Sequence, residues 1–235
     1  MSGNLFAMFT LAETHHDLIR NIVSLRVSQH LFDDLSDSPS DWDTAIALEL
    51  KTKPPPFASN TPVINRPFEE ALWNNAIGYP FKNWMRSRFS DGSFGVWYGS
   101  DSLETTIHET VHHWCSGFLA DAGFVRPGIR VERAIYSVRC DAALVDLRPA
   151  IAGFPDLLDP ADYSLTQQVG ARLHREGHPG LVSQSARCAG DTYAILNALV
   201  LNDPGRVCNL TYKTTEDGVE VERQPGVVMM VIPYC

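Results

Sequence analysis

RFSDGSFGVWYGSDSLETTIHETVHHW, residues 88–114, packs more reactive side chains into one turn, strand, turn and helix than any other stretch of the chain. Ser90, Asp91, Gly92 and Ser93 are turn formers, and the aromatic and β-branched run at 94–98 is long enough only for a brief strand. Gly99, Ser100 and Asp101 turn the chain again. Asp101, followed three residues later by Glu104, reads as an N-cap with its capping-box partner and opens a helix from about Ser102. Leu103, Ile107, Val111 and Trp114 recur at spacings of four, four and three, which gives that helix one apolar face. Glu104, His108 and Glu109 fall partly or wholly off it, so Glu109 is a carboxylate on a rigid support.

Composition bounds what this unit can belong to. A chain of 235 residues with 44% apolar content can bury a substantial core, as one large or two small domains. A formal net charge of -9 argues against a general nucleic-acid binder, because phosphate neutralisation needs clustered Lys and Arg. The five cysteines, Cys115, Cys140, Cys188, Cys208 and Cys235, are scattered and form no C-x-x-C, which points to a reducing compartment and to no zinc knuckle. Thr10, Glu13 and His15-His16-Asp17 break the apolar N-terminus, so no secretory signal is read there. No stretch reaches the roughly 18 apolar residues of a membrane helix. The expectation is a soluble, cytoplasmic protein with no membrane and no direct nucleic-acid partner.

Upstream, residues 13–35 carry Leu18, Ile22 and Leu25 at helical spacing, widened by Ile19, Val23 and Leu31, which predicts an amphipathic helix. Trp42 opens a second helical pattern to Leu50, and KTKPPPFASNTP at 51–62 is a proline-stiffened connector. These patterns divide the chain into a helical N-terminal extension, 1–55, and a main domain, 56–235. The extension is either packed on that domain or a partner-binding arm. Residues 63–68 form a short strand candidate carrying Arg66. Converging on one pocket, Arg66 and Arg88 would make a bidentate anion site suited to a diphosphate.

Downstream, residues 133–139 alternate as a strand, 143–147 form another, and 163–176 read as a helix ending at Gly177. Leu181-Val182 leads into Ser183, Gln184 and Ser185, and residues 193–201 are apolar. Asp217-Gly218 predicts a hairpin with arms at 210–213 and 219–222, before a last strand at 227–232. Strands between helices without a regular βαβ rhythm imply an α+β fold.

Two chemistries compete for the central helix. His108-Glu109-Thr110-Val111-His112 fits H-E-x-x-H, in which two histidines one turn apart bind zinc and the glutamate polarises a metal-bound water. The longer metzincin pattern fails, since Cys115 and Phe118 stand where it needs glycine and a third histidine. A zinc-dependent metalloprotease would therefore have to find its third ligand elsewhere, such as Asp121 or Glu132. The second chemistry comes from a resemblance. Arg88-Phe89, then Val96-Trp97-Tyr98-Gly99-Ser100, then Glu104 to Glu109, resembles the core of the RES domain family, named for an Arg, a Glu and a Ser. In that pattern a strand bearing a tyrosine is followed about eleven residues later by the named Glu, as Tyr98 and Glu109 are here. Arg66 and Arg88 match its arginines, and Ser185, with Ser183 as the alternative, matches its serine. Asn197 matches the Asn that follows a short apolar run. The resemblance covers about 60–235.

The resemblance implies a bacterial toxin with an ADP-ribosyltransferase-like fold, a mixed β core with flanking helices, encoded beside a separate Xre-type antitoxin. It implies cleavage of the nicotinamide–ribose bond of NAD+ as substrate, with phosphate, water or a protein as acceptor and no metal. Glu109 would stabilise positive charge on the ribose, Arg66 and Arg88 would anchor the diphosphate or an incoming phosphate, and Tyr98 would stack on nicotinamide. Ser185 would donate to ribose or phosphate, and Asn197 would complete the binding set. The oligomeric state stays open, a homo-oligomer among the options, and a non-catalytic binding module remains the third reading.

Overall fold

The computed structural model describes residues 4–24, 72, 74–119 and 127–234. The chain divides into two compact units, each assembled from separated stretches: Met1–Arg20, Pro67–Glu109 and Tyr136–Gly205 in the first, and Asn21–Arg66, Thr110–Ile135 and Arg206–Cys235 in the second.

The first unit is built on β1 (Thr10–Val23), β4 (Trp97–Ser100), β5 (Arg130–Asp146), β6 (Gly180–Gln184) and β7 (Asp191–Ile195), with β1 and β5 running on beyond its limits. Their order is β1-β4-β7-β6-β5, and β1 also pairs with β5, so the five strands close on themselves. The β4–β7 and β6–β7 pairs are antiparallel, with Tyr98 opposite Ala194 and Ser183 opposite Thr192. The β5–β6 pair is parallel, with Val145 beside Leu181. A parallel neighbour demands a crossover, and the helix Ser164–Arg175 lies within it. Two shorter helices, α1 (Tyr79–Lys82) and α2 (Leu103–His113), precede it, so the crossover helix is α3. The sheet is mixed and the class is α+β, as the sequence implies.

α3 buries Thr166, Val169, Gly170 and Leu173 on one side, a stripe at helical spacing. That stripe packs into a core with Phe89, Phe94, Leu157, Leu181 and Ala194. Each large side chain there is worth about 1.5–3 kcal/mol when fully removed from water. Gly170 is a close approach, since a Cβ would collide with the backbone carbonyl of Phe89. The tight two-residue hairpin of β2 (Arg86–Ser87) and β3 (Ser90–Asp91) is thereby pressed onto α3.

In the second unit β8 (Leu201–Thr214, of which residues from Arg206 belong here), β9 (Gly218–Gln224) and β10 (Val227–Pro233) form a meander. The hairpin predicted at Asp217-Gly218 is present, with Thr214 opposite Val219 and Tyr212 opposite Val221. Thr214 exchanges backbone hydrogen bonds with Gly128 and Ile129 just before β5, and Ser24 donates to the carbonyl of Glu132. Buried Arg133 donates to the side chain and carbonyl of Asn21, whose amide in turn donates to Tyr212 and Thr110.

The helical N-terminal extension is corrected over its first part. Residues 10–23 are strand β1, a member of the closed sheet. A spacing of four is common to both periods: Leu18 and Ile22 share one face of a strand as readily as one side of a helix, and Ile19, Ile22 and Val23 are β-branched. The predicted helix at 42–50, the boundary at 55–56 and the strand carrying Arg66 lie outside the described residues. The two strands expected at 133–139 and 143–147 are one, β5. No helix among the described residues is long and apolar enough to cross a membrane.

Candidate active site

α2 follows β4 after a two-residue turn, and its cap is Ser102 rather than the expected Asp101: Ser102 Oγ accepts from the Thr105 N–H at 3.1 Å. Ile107, Val111 and Trp114 are buried as their spacing required, which turns half-buried Glu109 to one side. There Ser185 Oγ donates to Glu109 Oε1 at 2.6 Å. Among the described residues Glu109 Oε2 has no hydrogen-bond partner, so only one carboxylate oxygen is fixed.

Ser185 begins the turn between β6 and β7. Its N–H donates to the carbonyl of Gly190, and its hydroxyl accepts from the N–H groups of Arg187 and Cys188 at 3.0 and 3.3 Å. The hydroxyl proton is then free for Glu109 alone, and the side chain is 2% exposed. Gly190 seats this turn against the first turn of α2, where a Cβ would run into Thr105 Oγ1. Below the turn, Arg148 forks onto Asp146 at 2.8 and 2.7 Å and also pairs with Asp191, the first residue of β7. Burial acts to raise the Asp146 carboxyl, but the bonds from the Arg148 guanidinium and N–H outweigh it and hold the group below its ordinary value. Ser183 is buried on β6, and no hydrogen bond joins it to Glu109, so Ser185 is the serine that the fold brings to the carboxylate.

Arg88 lies in the β2–β3 turn. Its Nη1 and Nη2 donate to the carbonyls of Leu157 and Asp159 at 3.3 and 3.0 Å, and its guanidinium stands 4.6 Å from the centre of the Tyr163 ring. Tyr98 works on this arginine from beneath. Its hydroxyl donates to Ser87 Oγ at 2.9 Å and accepts from the Phe89 N–H at 3.0 Å, pinning the residues on either side of Arg88. Gln167 of α3 adds a bond to the Ser87 carbonyl. Burial pushes the Tyr98 phenol up to about 12, against the opposing pull of Ser87, Phe89 and Arg88, so it stays protonated. Tyr98 is thus engaged as a brace for Arg88.

Other expectations separate. Asn197 is exposed and stands at the end of β6 opposite Ser185, where its N–H donates to Pro179 and its side chain caps the turn at Leu199. Arg66 lies outside the described residues, as does Asp121. Among the described residues no group of three or more His, Cys, Asp or Glu gathers as a metal site. The H-E-x-x-H reading therefore finds no third ligand there, Glu132 included, and its glutamate is bonded to Ser185. Sequence reasoning missed Arg187 and Tyr163. Arg187 Nη2 donates to the carbonyl of Pro160 at 2.6 Å and to Tyr163 Oη at 3.4 Å. The available signal was an arginine two residues beyond the serine.

A comparison with curated proteins finds no match. Among solved structures, the crystal structure of the M. tuberculosis MbcT-MbcA toxin-antitoxin complex is similar, with 11% sequence identity, a TM-score of 0.46, and coverage of 86% of this chain and 89% of that chain. A family model described as RES domain matches residues 61–214, the span that contains Arg88, Glu109 and Ser185. With those three side chains in order along one matched span, and the last two in direct contact, the chain belongs to the RES domain family.

Proposed function

We propose that this protein is a toxin of a toxin–antitoxin pair that consumes NAD+ by breaking its nicotinamide–ribose bond. The observation that carries the reading is the 2.6 Å bond from Ser185 to Glu109. A carboxylate so held cannot rotate away from charge developing in front of it, and preorganisation of this kind is the largest source of transition-state stabilisation in many enzymes. As the C1′–N bond breaks, its electron pair leaves with neutral nicotinamide and the ribose C1′ becomes cationic. Glu109 Oε2 faces that charge, and an acceptor oxygen then bonds to the same carbon, which is C1″ in ADP-ribose numbering, with water or a hydroxyl acceptor releasing its proton to solvent. Phosphate as acceptor gives ADP-ribose 1″-phosphate, water gives ADP-ribose, and a protein side chain gives an ADP-ribosylated product. Arg88, with no carboxylate ion-paired to it among the described residues, offers its charge to the substrate diphosphate or to incoming phosphate.

The antitoxin is a separate chain in this reading. The test is incubation of purified protein with NAD+, with and without phosphate, followed by identification of the products. Release of nicotinamide by the wild type and its loss in Glu109→Gln is the expected result. No release by a folded wild-type protein overturns the reading.

A further inference from the structure

Two arginines of the first unit close on a single aromatic ring. Arg88 stands 4.6 Å from the centre of the Tyr163 ring, and Arg187 donates to that tyrosine's hydroxyl at 3.4 Å. Both also grip the same short turn: Arg88 through the carbonyls of Leu157 and Asp159, Arg187 through that of Pro160. Like charges drawn toward one point repel, and the cost rises as water is removed. Natural compensation would be a carboxylate, yet among the described residues neither arginine is ion-paired. The acid nearest Arg88 along the turn, Asp159, spends Oδ1 on the N–H groups of Ala161 and Asp162; those bonds, and to a lesser degree the Arg88 charge, hold its carboxyl below its ordinary value, but it forms no ion pair with Arg88. Arg187 Nε is moreover buried without a hydrogen-bond partner among the described residues. Two guanidinium groups that converge on one ring, neither ion-paired among the described residues, form a focus of positive charge suited to an anion.

Position says which anion. The Arg187 N–H donates to the hydroxyl of Ser185, which donates to Glu109, so this guanidinium departs from the very turn that fixes the carboxylate. We infer that Arg187 and Arg88 together clamp the diphosphate of the dinucleotide across Tyr163, with Arg187 a substrate-binding residue that selects for ligands carrying that diphosphate. The inference rests on the NAD+ reading above and adds a guanidinium to the one that Arg88 supplies.

The test compares ligands with and without phosphate. Calorimetric binding of ADP-ribose, which carries the diphosphate, and of nicotinamide riboside, which carries none, is measured for wild type, Arg187→Ala and Arg187→Lys, with melting temperature as the folding check. Removing a charged, forked donor should weaken ADP-ribose by about 10- to 100-fold and raise the KM for NAD+ alike. Nicotinamide riboside should be unaffected, and lysine, which keeps charge but not the fork, should fall between. Equal weakening of both ligands, or unchanged ADP-ribose binding, overturns the inference while NAD+ consumption still stands. So does a defect confined to the KM for inorganic phosphate, which would place Arg187 at the acceptor. Should Arg187→Ala fail to fold, Arg187→Lys carries the same comparison. Wild-type protein that consumes no NAD+ and binds no ADP-ribose removes both readings together.

Discussion

Gly190 is seated against Thr105 with no room for a methyl group between them. The contact joins the β6–β7 turn to the first turn of α2, one helical turn before Glu109, so it sets the separation of the serine from the carboxylate. Gly190→Ala should destabilise the protein by about 1–3 kcal/mol through overpacking. It should also lower NAD+ turnover at least roughly tenfold, since a misplacement of about 1 Å is enough for that. Thr105→Ala in the same chain should recover part of both losses, as read by denaturant midpoints and initial rates.

Ser185 and Glu109 should behave as one unit. Each of Ser185→Ala and Glu109→Gln is expected to lower kcat by about 100- to 1000-fold. The double variant should be little worse than the poorer single one, because the hydroxyl acts through the carboxylate it orients. Fully additive losses in the double-mutant cycle would mean that Ser185 acts on the substrate independently.

Tyr98→Phe tests the brace under Arg88. The change leaves the Phe89 N–H and the Ser87 hydroxyl without their shared partner and should cost about 1–2 kcal/mol of stability. Because Arg88 would hold the substrate anion, the KM for NAD+ should rise more than kcat falls. A loss in kcat alone would instead assign the phenol to the nicotinamide end, as stacking would require.

Asn197→Ala should leave NAD+ turnover within about twofold. Among the described residues its side chain serves only the cap at Leu199, worth about 1 kcal/mol, at the far end of β6 from Ser185. Thermal melting should move slightly while steady-state rates do not.

Acid should loosen the sheet beneath the site. The Asp146 carboxyl lies below its unfolded value despite burial, because Arg148 bonds to the ionised form. Its contribution to stability is complete above the unfolded value, about 4, and is lost as pH falls through the folded one. Urea midpoints should therefore drop below about pH 4, and Asp146→Asn should flatten that part of the profile while lowering stability at neutral pH.

Much of the site was legible in the sequence because local chemistry decides it. The stretch from Arg88 to Trp114 carries its own turns, a brief aromatic strand and a helix with one apolar face, and the hairpin at Asp217-Gly218 needed only its turn residues. Glu109 could be placed on α2 from spacing alone. β1 could not be read, since Leu18 and Ile22 satisfy two periods and the strand's partners, β4 and β5, are remote in the chain. Arg187 was equally silent. A single arginine in a polar turn has no periodic signature, and its meaning comes from a crossover that carries Pro160 and Tyr163 back beside it.

The closed circuit of β1, β4, β7, β6 and β5 sets a practical boundary for anyone dissecting the protein. The stretch matched to the family begins at residue 61, yet the strand that seals the circuit is residues 10–23. Trimming to the matched stretch would leave β4 and β5 each with a raw edge, inviting self-association in place of the closed sheet. A fragment meant to keep the circuit closed should accordingly start ahead of β1, well before the stretch that carries the signature.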